Sequence, residues 1–487
     1  MMTMGLDYLQ EELIDIANLL KEALAKLDYE NVFQKKTIYF DNQGIPTIDM
    51  VKKETDLCPP ISAVVDWIEY EDHVFFRDVI IDKIRNSLAL DYFTSFISAH
   101  IDLQRKDTES VLYYLFSVLT SCIQEHVNNV GGYLVFRLQE IDEKSLVRYL
   151  DKYLNFFIAK RVKVSIIVPL VGVFYKKKFP IDSSELIFDQ NVKIRRLTEE
   201  EQRTRLYESV SMFSNLNQDT MNTAFQQKTS AAIEIEDDIV IDKFNLSNVN
   251  TLVGELYKAY FSKINTLINL ISLNQDFNNI SVENAFFKIE GYLLNTHSRP
   301  KMYWNRIRGK SFQLIDLSYS GFRPFFNSDC LSVTNLNLEE IKKDFDKVYM
   351  TSHKDNRRRL EGAFFRRTKA IMDNNGTEGL LDSVIGIEQM FGSRQRTELR
   401  FRLSLYAANL LYGDKEFSNR TKKEIFIEFR ELYDKRSSVV HAGLDFKDAM
   451  SIIYLERIIY NVIKSEDIDL TSSTSISAQI EDLYIFI

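Results

Sequence analysis

TKKEIFIEFRELYDKRSSVVHAG, residues 421–443, carries the signals for both ends of one amphipathic helix. Thr421 and Glu424 have the spacing of a capping box, which predicts that the helix begins there. Gly443 has the position of a glycine that ends a helix in the left-handed conformation. The spacing therefore predicts a helix near residues 422–441.

One face of this predicted helix is apolar except at a single position. Ile425, Phe429, Leu432, Arg436 and Val440 follow one another along it at steps of three and four residues. A guanidinium within an apolar stripe is costly unless it finds an anion. That anion could be a carboxylate of the protein, which would make Arg436 structural, or a phosphate bound by the fork of the guanidinium.

His441 lies in the last turn of the same helix and is one of only 6 histidines. The helix dipole favours an imidazolium there by up to about 2 kcal/mol, so this residue could hold or donate a proton, or could simply cap the helix. Ser437 precedes it by four residues and could orient the ring. In an unbroken helix Arg436 and His441 point about 140° apart. They converge only if the last turn unwinds or if a second subunit supplies the partner group.

The pattern around this helix predicts a multidomain α+β chain that ends in an all-α, four-helix bundle. Three further long helices are expected near 378–391, 394–412 and 447–465, after a short basic helix; short loops favour an antiparallel arrangement. The predicted domains are a mixed α/β region at 1–185 with a sensing or regulatory role, a largely helical middle region with some strands at 186–350, the bundle at 351–470, and a Ser/Thr linker with an apolar tail at 471–487.

The chain has 487 residues and a formal net charge of −9, so no global basic field indicates a nucleic-acid binder. A local cationic surface is nevertheless predicted from one set of arginines, for which phosphate contacts and ion pairs with the acidic remainder are equally open. Its members are Arg357, Arg358, Arg359, Arg366, Arg367, Arg394, Arg396, Arg400 and Arg402.

The remaining composition predicts a cytoplasmic protein without a cofactor or a membrane span. The 3 cysteines form no CxxC pair, which favours a reducing compartment. The longest apolar run, residues 164–175, is well short of the roughly 20 residues that span a bilayer. No HExxH, zinc-finger or EF-hand spacing occurs in the sequence.

The segment ELYDKRSSVVHAG resembles the R-x4-6-H motif of HEPN domains, in particular the ApeA-like HEPN family of bacterial defence proteins. FFRRTKAIMDNNGTEGLLDSVIGIEQMF resembles the first helices of that family, and RTELRFRLSLYAANLLY resembles the next one, with Glu398 and Arg402. The resemblance covers roughly residues 355–465.

This resemblance implies a four-helix bundle that forms a homodimer or higher homo-oligomer, with two Arg–His motifs in one cleft. It implies a metal-independent endoribonuclease in antiviral, abortive-infection defence, which cuts RNA (tRNA is a candidate) by 2′-hydroxyl attack and responds to a phage-derived trigger. Arg436 and His441 would be catalytic, with Ser437, Tyr433, Glu398 and Arg402 in support. The alternatives are a catalytically silent dimerisation and RNA-binding module, or the toxin half of a toxin–antitoxin pair whose apolar tail docks on a partner.

Overall fold

The computed structural model describes most of the chain. The described residues are 2–26, 37–40, 46–49, 65–66, 68–70, 74–103, 107–129, 141–171, 173–174, 185–197, 231–244, 246–275, 281–282, 285–289, 304–306, 331–332, 337–372, 376–392, 398–446, 448 and 450–484. The chain divides into two compact units. The first unit is Met1–Pro169, Arg196–Tyr257 and Asn284–Gln313, and the second is Leu170–Arg195, Lys258–Glu283 and Leu314–Ile487. These units do not follow the predicted domain boundaries, because residues 186–350 contribute to both.

Helices predominate in the described part of the chain. They are α1 (Met2–Ala25), α2 (Phe76–Arg85), α3 (Leu88–His100), α4 (Thr108–Asn129), α5 (Glu143–Ile158), α6 (Leu246–Gln275), α7 (Leu338–Phe345), α8 (Lys354–Met372), α9 (Thr377–Phe391), α10 (Leu399–Leu411), α11 (Lys422–Ala442), α12 (Met450–Lys464) and α13 (Ile476–Tyr484). A π-helical turn (Asp346–Met350) follows α7, and a 3-10 turn (Lys415–Phe417) lies between α10 and α11.

The strands are shorter. They are β1 (Thr37–Phe40), β2 (Pro46–Asp49), β3 (Glu69–Tyr70), β4 (Val74–Phe75), β5 (Arg161–Val171), β6 (Val173–Phe174), β7 (Glu185–Ile187), β8 (Val192–Arg196), β9 (Ala231–Val240), β10 (Ser281–Val282), β11 (Phe286–Ile289), β12 (Trp304–Arg306) and β13 (Leu331–Ser332). The structure is therefore mixed α and β, as the sequence predicted.

The first unit combines amphipathic helices with antiparallel strands. Helix α1 packs against α3, α4 and α5 through a fully buried stripe that includes Leu9, Leu13 and Leu20. Strand β11 pairs with β5 in antiparallel register, so that Phe287 lies opposite Ile166, and both side chains are buried. A strand with a buried face must be covered, and these apolar side chains form part of the core.

The second unit contains a bundle of helices in which α8 packs along α9. The Arg359 guanidinium donates to the carbonyl of Gly392 at 2.7 Å, and Arg366 forms an ion pair with Asp382 at 2.5 Å. Arg359 contacts Gly392 at the end of α9, whereas Arg366, further along α8, contacts Asp382 nearer the start of α9. The two helices are therefore antiparallel. Helix α8 has 19 residues, and the prediction of a short basic helix was wrong because apolar residues such as Phe364 recur along one buried face.

Helices α10 and α11 are also antiparallel. Arg400 at the start of α10 forms an ion pair with Asp434, and Asn409 near its end accepts a hydrogen bond from the Lys422 ammonium at 3.0 Å. Helix α10 begins at Leu399 rather than near residue 394, since Glu398 immediately before it has a left-handed φ of 60°. Helix α12 packs against α8, α9 and α10.

The described part of the predicted linker and tail, residues 471–484, forms part of this bundle. Helix α13 packs on α9 and α10, and its Ile476 and Ile480 are fully buried. The side-chain amide of Asn356 donates to the carbonyls of Ser472 at 2.9 Å and Thr474 at 3.1 Å, so the Ser/Thr segment is anchored to α8. A domain boundary between residues 470 and 471 is therefore wrong. Residues 485–487 lie outside the described part of the chain.

Candidate functional site

Helix α11 begins and ends as its sequence predicts. The Thr421 hydroxyl accepts a hydrogen bond from the backbone N–H of Glu424 at 3.3 Å, and the Glu424 carboxylate accepts one from the backbone N–H of Thr421 at 2.7 Å. Gly443 adopts a φ of 65°, which favours glycine, and its N–H donates to Val439. The capping box and the glycine cap are both confirmed. His441 lies within the unbroken last turn.

The apolar stripe of α11 leaves the core at Arg436. Ile425, Phe429 and Leu432 are buried, the Arg436 side chain is 22% exposed, and Val440 is 51% exposed. The stripe thus runs from the interior of the bundle to its surface over about four helical turns. Arg436 lies at the transition, where a guanidinium can contact protein on one side and solvent or a ligand on the other.

Glu388 on α9 is the carboxylate that faces Arg436. A nitrogen of the guanidinium lies 3.5 Å from a carboxylate oxygen of Glu388, and the guanidinium carbon lies 5.8 Å from the centre of the Tyr433 ring. Within the described part of the chain, the buried Nε of Arg436 has no hydrogen-bond partner. A guanidinium has five N–H donors, so this single long contact leaves most of its capacity unused.

Tyr433 also belongs to this cluster. Burial raises the pKa of the Tyr433 phenol to about 12, and the charge of Glu388 and a hydrogen bond to that carboxylate act in the same direction. The phenol is therefore protonated at neutral pH and donates to Glu388. The sequence predicted a supporting role for Tyr433, which contacts Glu388 and Arg436. It did not predict a role for Glu388. The available signal was an acidic residue between the buried Ile387 and Met390 on α9.

His441 is exposed and points away from Arg436. Since α11 is continuous through Ala442, a separation of five residues places the two side chains about 140° apart around the helix. Unwinding of the last turn, which would have brought them together, does not occur. Ser437 is half-buried, and no hydrogen bond joins its hydroxyl to His441 within the described residues.

The other residues predicted to support the site lie on α10. Arg402 forms an ion pair with Glu481 of α13, and Tyr406 hydrogen-bonds the same carboxylate. Arg402 therefore fastens the last helix of the bundle. Glu398 is exposed, and its carbonyl accepts a hydrogen bond from the Arg402 backbone N–H at 3.0 Å, which starts α10.

Arg367 is buried, so the prediction that it contacts phosphate at the surface is wrong. Its side chain is only 3% exposed, and its guanidinium donates to Glu456 at 2.8 Å, to Asn269 at 2.8 Å and to Ser272 at 2.8 Å. The physical reason is that α8 turns this position toward α6 and α12, where its charge is matched inside the second unit.

The other predicted cationic residues are mostly used within the protein. Arg357 donates to the carbonyl of Tyr349 at 2.7 Å and lies over the ring of that residue, and Arg359 and Arg366 bind α9 as described above. Arg358 is exposed and makes no ion pair with the described residues. Arg394 and Arg396 lie outside the described residues. The sequence suggested one continuous cationic surface. Among the described arginines of α8, Arg358 alone is both exposed and without an ion pair to the described residues.

The part of the chain that the structure describes shows neither a metal site nor a membrane span. No group of three or more His, Cys, Asp or Glu side chains there could hold a metal ion. None of the described helices is both long enough and apolar enough to cross a membrane.

No known protein family matches the chain, and no curated protein or solved structure matches it either. The class of protein that the fold defines is a mixed α/β protein with a helical bundle in its second unit. The resemblance to HEPN domains remains a prediction from the sequence.

Proposed function

We propose that this protein is a metal-independent endoribonuclease of the HEPN type that acts in bacterial antiviral defence. The observation that carries the proposal is the position of Arg436. Its guanidinium lies where the apolar stripe of α11 reaches the surface, with one long carboxylate contact and an Nε that has no partner among the described residues. A guanidinium held in this way is suited to a phosphate. The exposed imidazole of His441 lies at the same surface-facing end of the helix.

The proposed reaction needs one cation and two proton-transfer groups. The ribose 2′-oxygen attacks the adjacent phosphorus and gives its proton to one imidazole, while the bond from phosphorus to the 5′-oxygen breaks and that oxygen takes a proton from a second imidazole. The products are a 2′,3′-cyclic phosphate and a 5′-hydroxyl. Arg436 stabilises the negative charge of the phosphorane, and Glu388 with Tyr433 holds the guanidinium in place.

Two copies of the chain supply the complete site in this proposal. Arg436 and His441 of one α11 cannot face the same phosphate, because the helix is unbroken between them. A second copy whose α11 lies beside the first would bring its own motif to the same cleft. The exposed apolar side chains of Val440 and Leu444, next to His441, support an interface at this end of the helix.

The alternative is a silent module that dimerises and binds RNA without cutting it. The contact between Glu388 and Arg436 favours this alternative, because it is the structural carboxylate pairing that an arginine in an apolar stripe would require. The toxin alternative stays open, because helix α13 of the tail packs on its own bundle while the apolar end of the tail, residues 485–487, lies outside the described residues.

Cleavage of RNA in the presence of EDTA distinguishes the proposed ribonuclease from the silent module. Pure protein is incubated with total RNA and with tRNA, and the ends of the fragments are mapped. We expect 2′,3′-cyclic phosphate ends from the parental protein, no fragments from His441→Ala, and parental activity from His353→Ala, which replaces another histidine of the second unit. A folded His441→Ala protein that cuts at the parental rate would exclude the proposed mechanism, as would activity that needs added magnesium.

A further inference from the structure

Two exposed tyrosines flank one lysine at the end of α11 opposite to His441. Tyr412 is 58% exposed and Tyr484 is 38% exposed. The ammonium of Lys422 lies 5.4 Å from the centre of the first ring and 5.9 Å from the centre of the second. Both rings are thus within cation–π range of one nitrogen, and the three side chains form a single patch, here called the tyrosine patch.

The segment that carries Tyr412 is held firmly. Two residues further on, Asp414 accepts hydrogen bonds from Arg457 at 2.8 to 3.1 Å, and this ion pair is buried. Phe417 in the same segment is fully buried, and its ring lies 4.8 Å from that of Tyr454. The exposed ring is therefore presented from an anchored loop, which lowers the entropic cost of binding a ligand against it.

The start of α11, whose Lys422 lies over both rings, combines the positive end of the helix dipole with the Glu424 carboxylate of the capping box. The backbone N–H groups of Lys422 and Lys423 lie in the first turn, where a helix offers no internal acceptor, and the helix dipole places positive potential there. Both lysine side chains are exposed. The capping box already satisfies the N–H groups of Thr421 and Glu424. Aromatic faces beside an anion-binding helix start match the two parts of a nucleotide, its base and its phosphate.

We propose that the tyrosine patch is a docking site for single-stranded RNA. Unpaired bases stack on Tyr412 and Tyr484, and the phosphate between them binds Lys422 and the first turn of α11. Double-stranded RNA does not fit this site, because its bases are stacked inside the helix and offer no free face. The role of the tyrosine patch in substrate binding rests on the proposed ribonuclease function, but RNA binding at the patch can be measured without cleavage.

The patch and the proposed cleavage motif lie at the two ends of one helix. Lys422 and His441 are separated by about 29 Å along the axis at roughly 1.5 Å per residue. At a stacked spacing of roughly 3.4 Å per nucleotide, an RNA strand needs about eight nucleotides to cover this distance. The patch therefore helps only those substrates that extend about eight nucleotides beyond the bond that is cut.

Binding is measured with the full-length His441→Ala protein and a labelled single-stranded RNA of about 20 nucleotides, which exceeds the span. Loss of a stacked base costs about fivefold or more in affinity, so Tyr412→Ala and Tyr484→Ala should each raise Kd by at least that factor. Tyr412→Phe keeps the aromatic face and should bind as the parent does. Lys422→Gln should weaken binding more than Lys423→Gln, which removes the same charge one residue away.

Three results would overturn the docking site. One is unchanged RNA affinity in both tyrosine-to-alanine variants, and another is equal competition by duplex RNA of the same sequence. The third is equal weakening by the two lysine variants, which would indicate diffuse charge rather than the tyrosine patch. If the patch binds RNA but His441→Ala cuts like the parent in EDTA, the proposed cleavage mechanism fails while the docking site stands.

A length test applies to the parental enzyme. Tyr412→Ala should raise KM for a substrate of about 20 nucleotides and leave KM unchanged for one of about 4 nucleotides, which is too short to reach the patch. An equal effect on both substrates would contradict the proposed position of the patch relative to the cleavage motif.

Discussion

Replacing Arg367 with methionine removes a buried charge and leaves its partners in place. The side chain is 3% exposed and its ion-pair partner Glu456 is 13% exposed, so the carboxylate that remains cannot be solvated fully. Breaking a buried pair from one side typically costs about 3–5 kcal/mol. The whole free energy of unfolding of a domain is about 5–15 kcal/mol, so Arg367→Met should be strongly destabilising.

A double variant separates the charge from the rest of the cluster. Arg367→Met with Glu456→Leu removes both charges and should recover about half of the loss. Recovery is incomplete because Asn269, which is fully buried, still loses the hydrogen bond that its Oδ1 accepts from Arg367, and an unsatisfied buried group costs about 1–3 kcal/mol. The matched control is Arg358→Met, on an exposed position of the same helix, where the change should lie within about 0.5 kcal/mol.

Urea titrations and melting curves of the four proteins measure these differences. At about 2–4 °C per kcal/mol, Arg367→Met should lower Tm by at least roughly 6 °C. The RNA affinity of the protein that remains folded should be unchanged. If Arg367→Met is as stable as Arg358→Met and instead weakens RNA binding, then Arg367 faces RNA and its placement in the core is wrong.

An equimolar, co-refolded mixture of parental and His441→Ala chains should keep about one quarter of the parental cleavage activity, because only pairs of two parental chains bring two imidazoles to one cleft; a value of about one half would argue against a shared cleft. Glu388→Gln should lower kcat by about tenfold, equivalent to about 1.4 kcal/mol, because the Arg436 guanidinium is held less firmly. KM should not rise, because the substitution also removes a carboxylate that competes with the phosphate for Arg436. An unchanged kcat would show that Glu388 does not orient the guanidinium. Burial alone would raise the pKa of Asp414, but hydrogen bonds from Arg457 and Asn461 outweigh it and hold the pKa below its ordinary value of 3.8. The unfolded chain then binds more protons, so this contribution is present above pH 3.8 and is lost as the pH falls through the lowered value. As the pH is lowered from about 6 to about 3, the Tm should therefore fall more steeply for the parent than for Asp414→Asn. Equal slopes of Tm against pH in the two proteins would contradict this assignment.

Local sequence signals predicted the motif helix well. Thr421, Glu424 and Gly443 act on backbone groups within a few residues of themselves, so their spacing is sufficient to place both ends of α11. The alternation of apolar and polar residues likewise gave the positions of α9 and α12 to within a few residues, since each must bury one face.

Contacts between distant parts of the chain were beyond such signals. Arg367 meets Glu456 from 89 positions away, and Arg402 meets Glu481 from 79 positions away. The periodicity of one helix does not predict which arginine forms an ion pair with a buried carboxylate, because that pairing depends on how the helices pack. The same limit hid Glu388, whose role appears only when α9 and α11 lie side by side.

Helix α13 is synthesised after α8 to α12, so these helices of the second unit are completed in a fixed order. A chain is synthesised from its N-terminus, so α8 to α12 emerge from the ribosome before residues 476–484 do. Until then Arg402 lacks Glu481, and the surfaces of α9 and α10 that α13 covers are open to water. Completion of the bundle around the Arg436 motif is thus tied to the last described helix to be made. Nascent chains stalled before residue 476 should be cut by protease in α10 more readily than released chains.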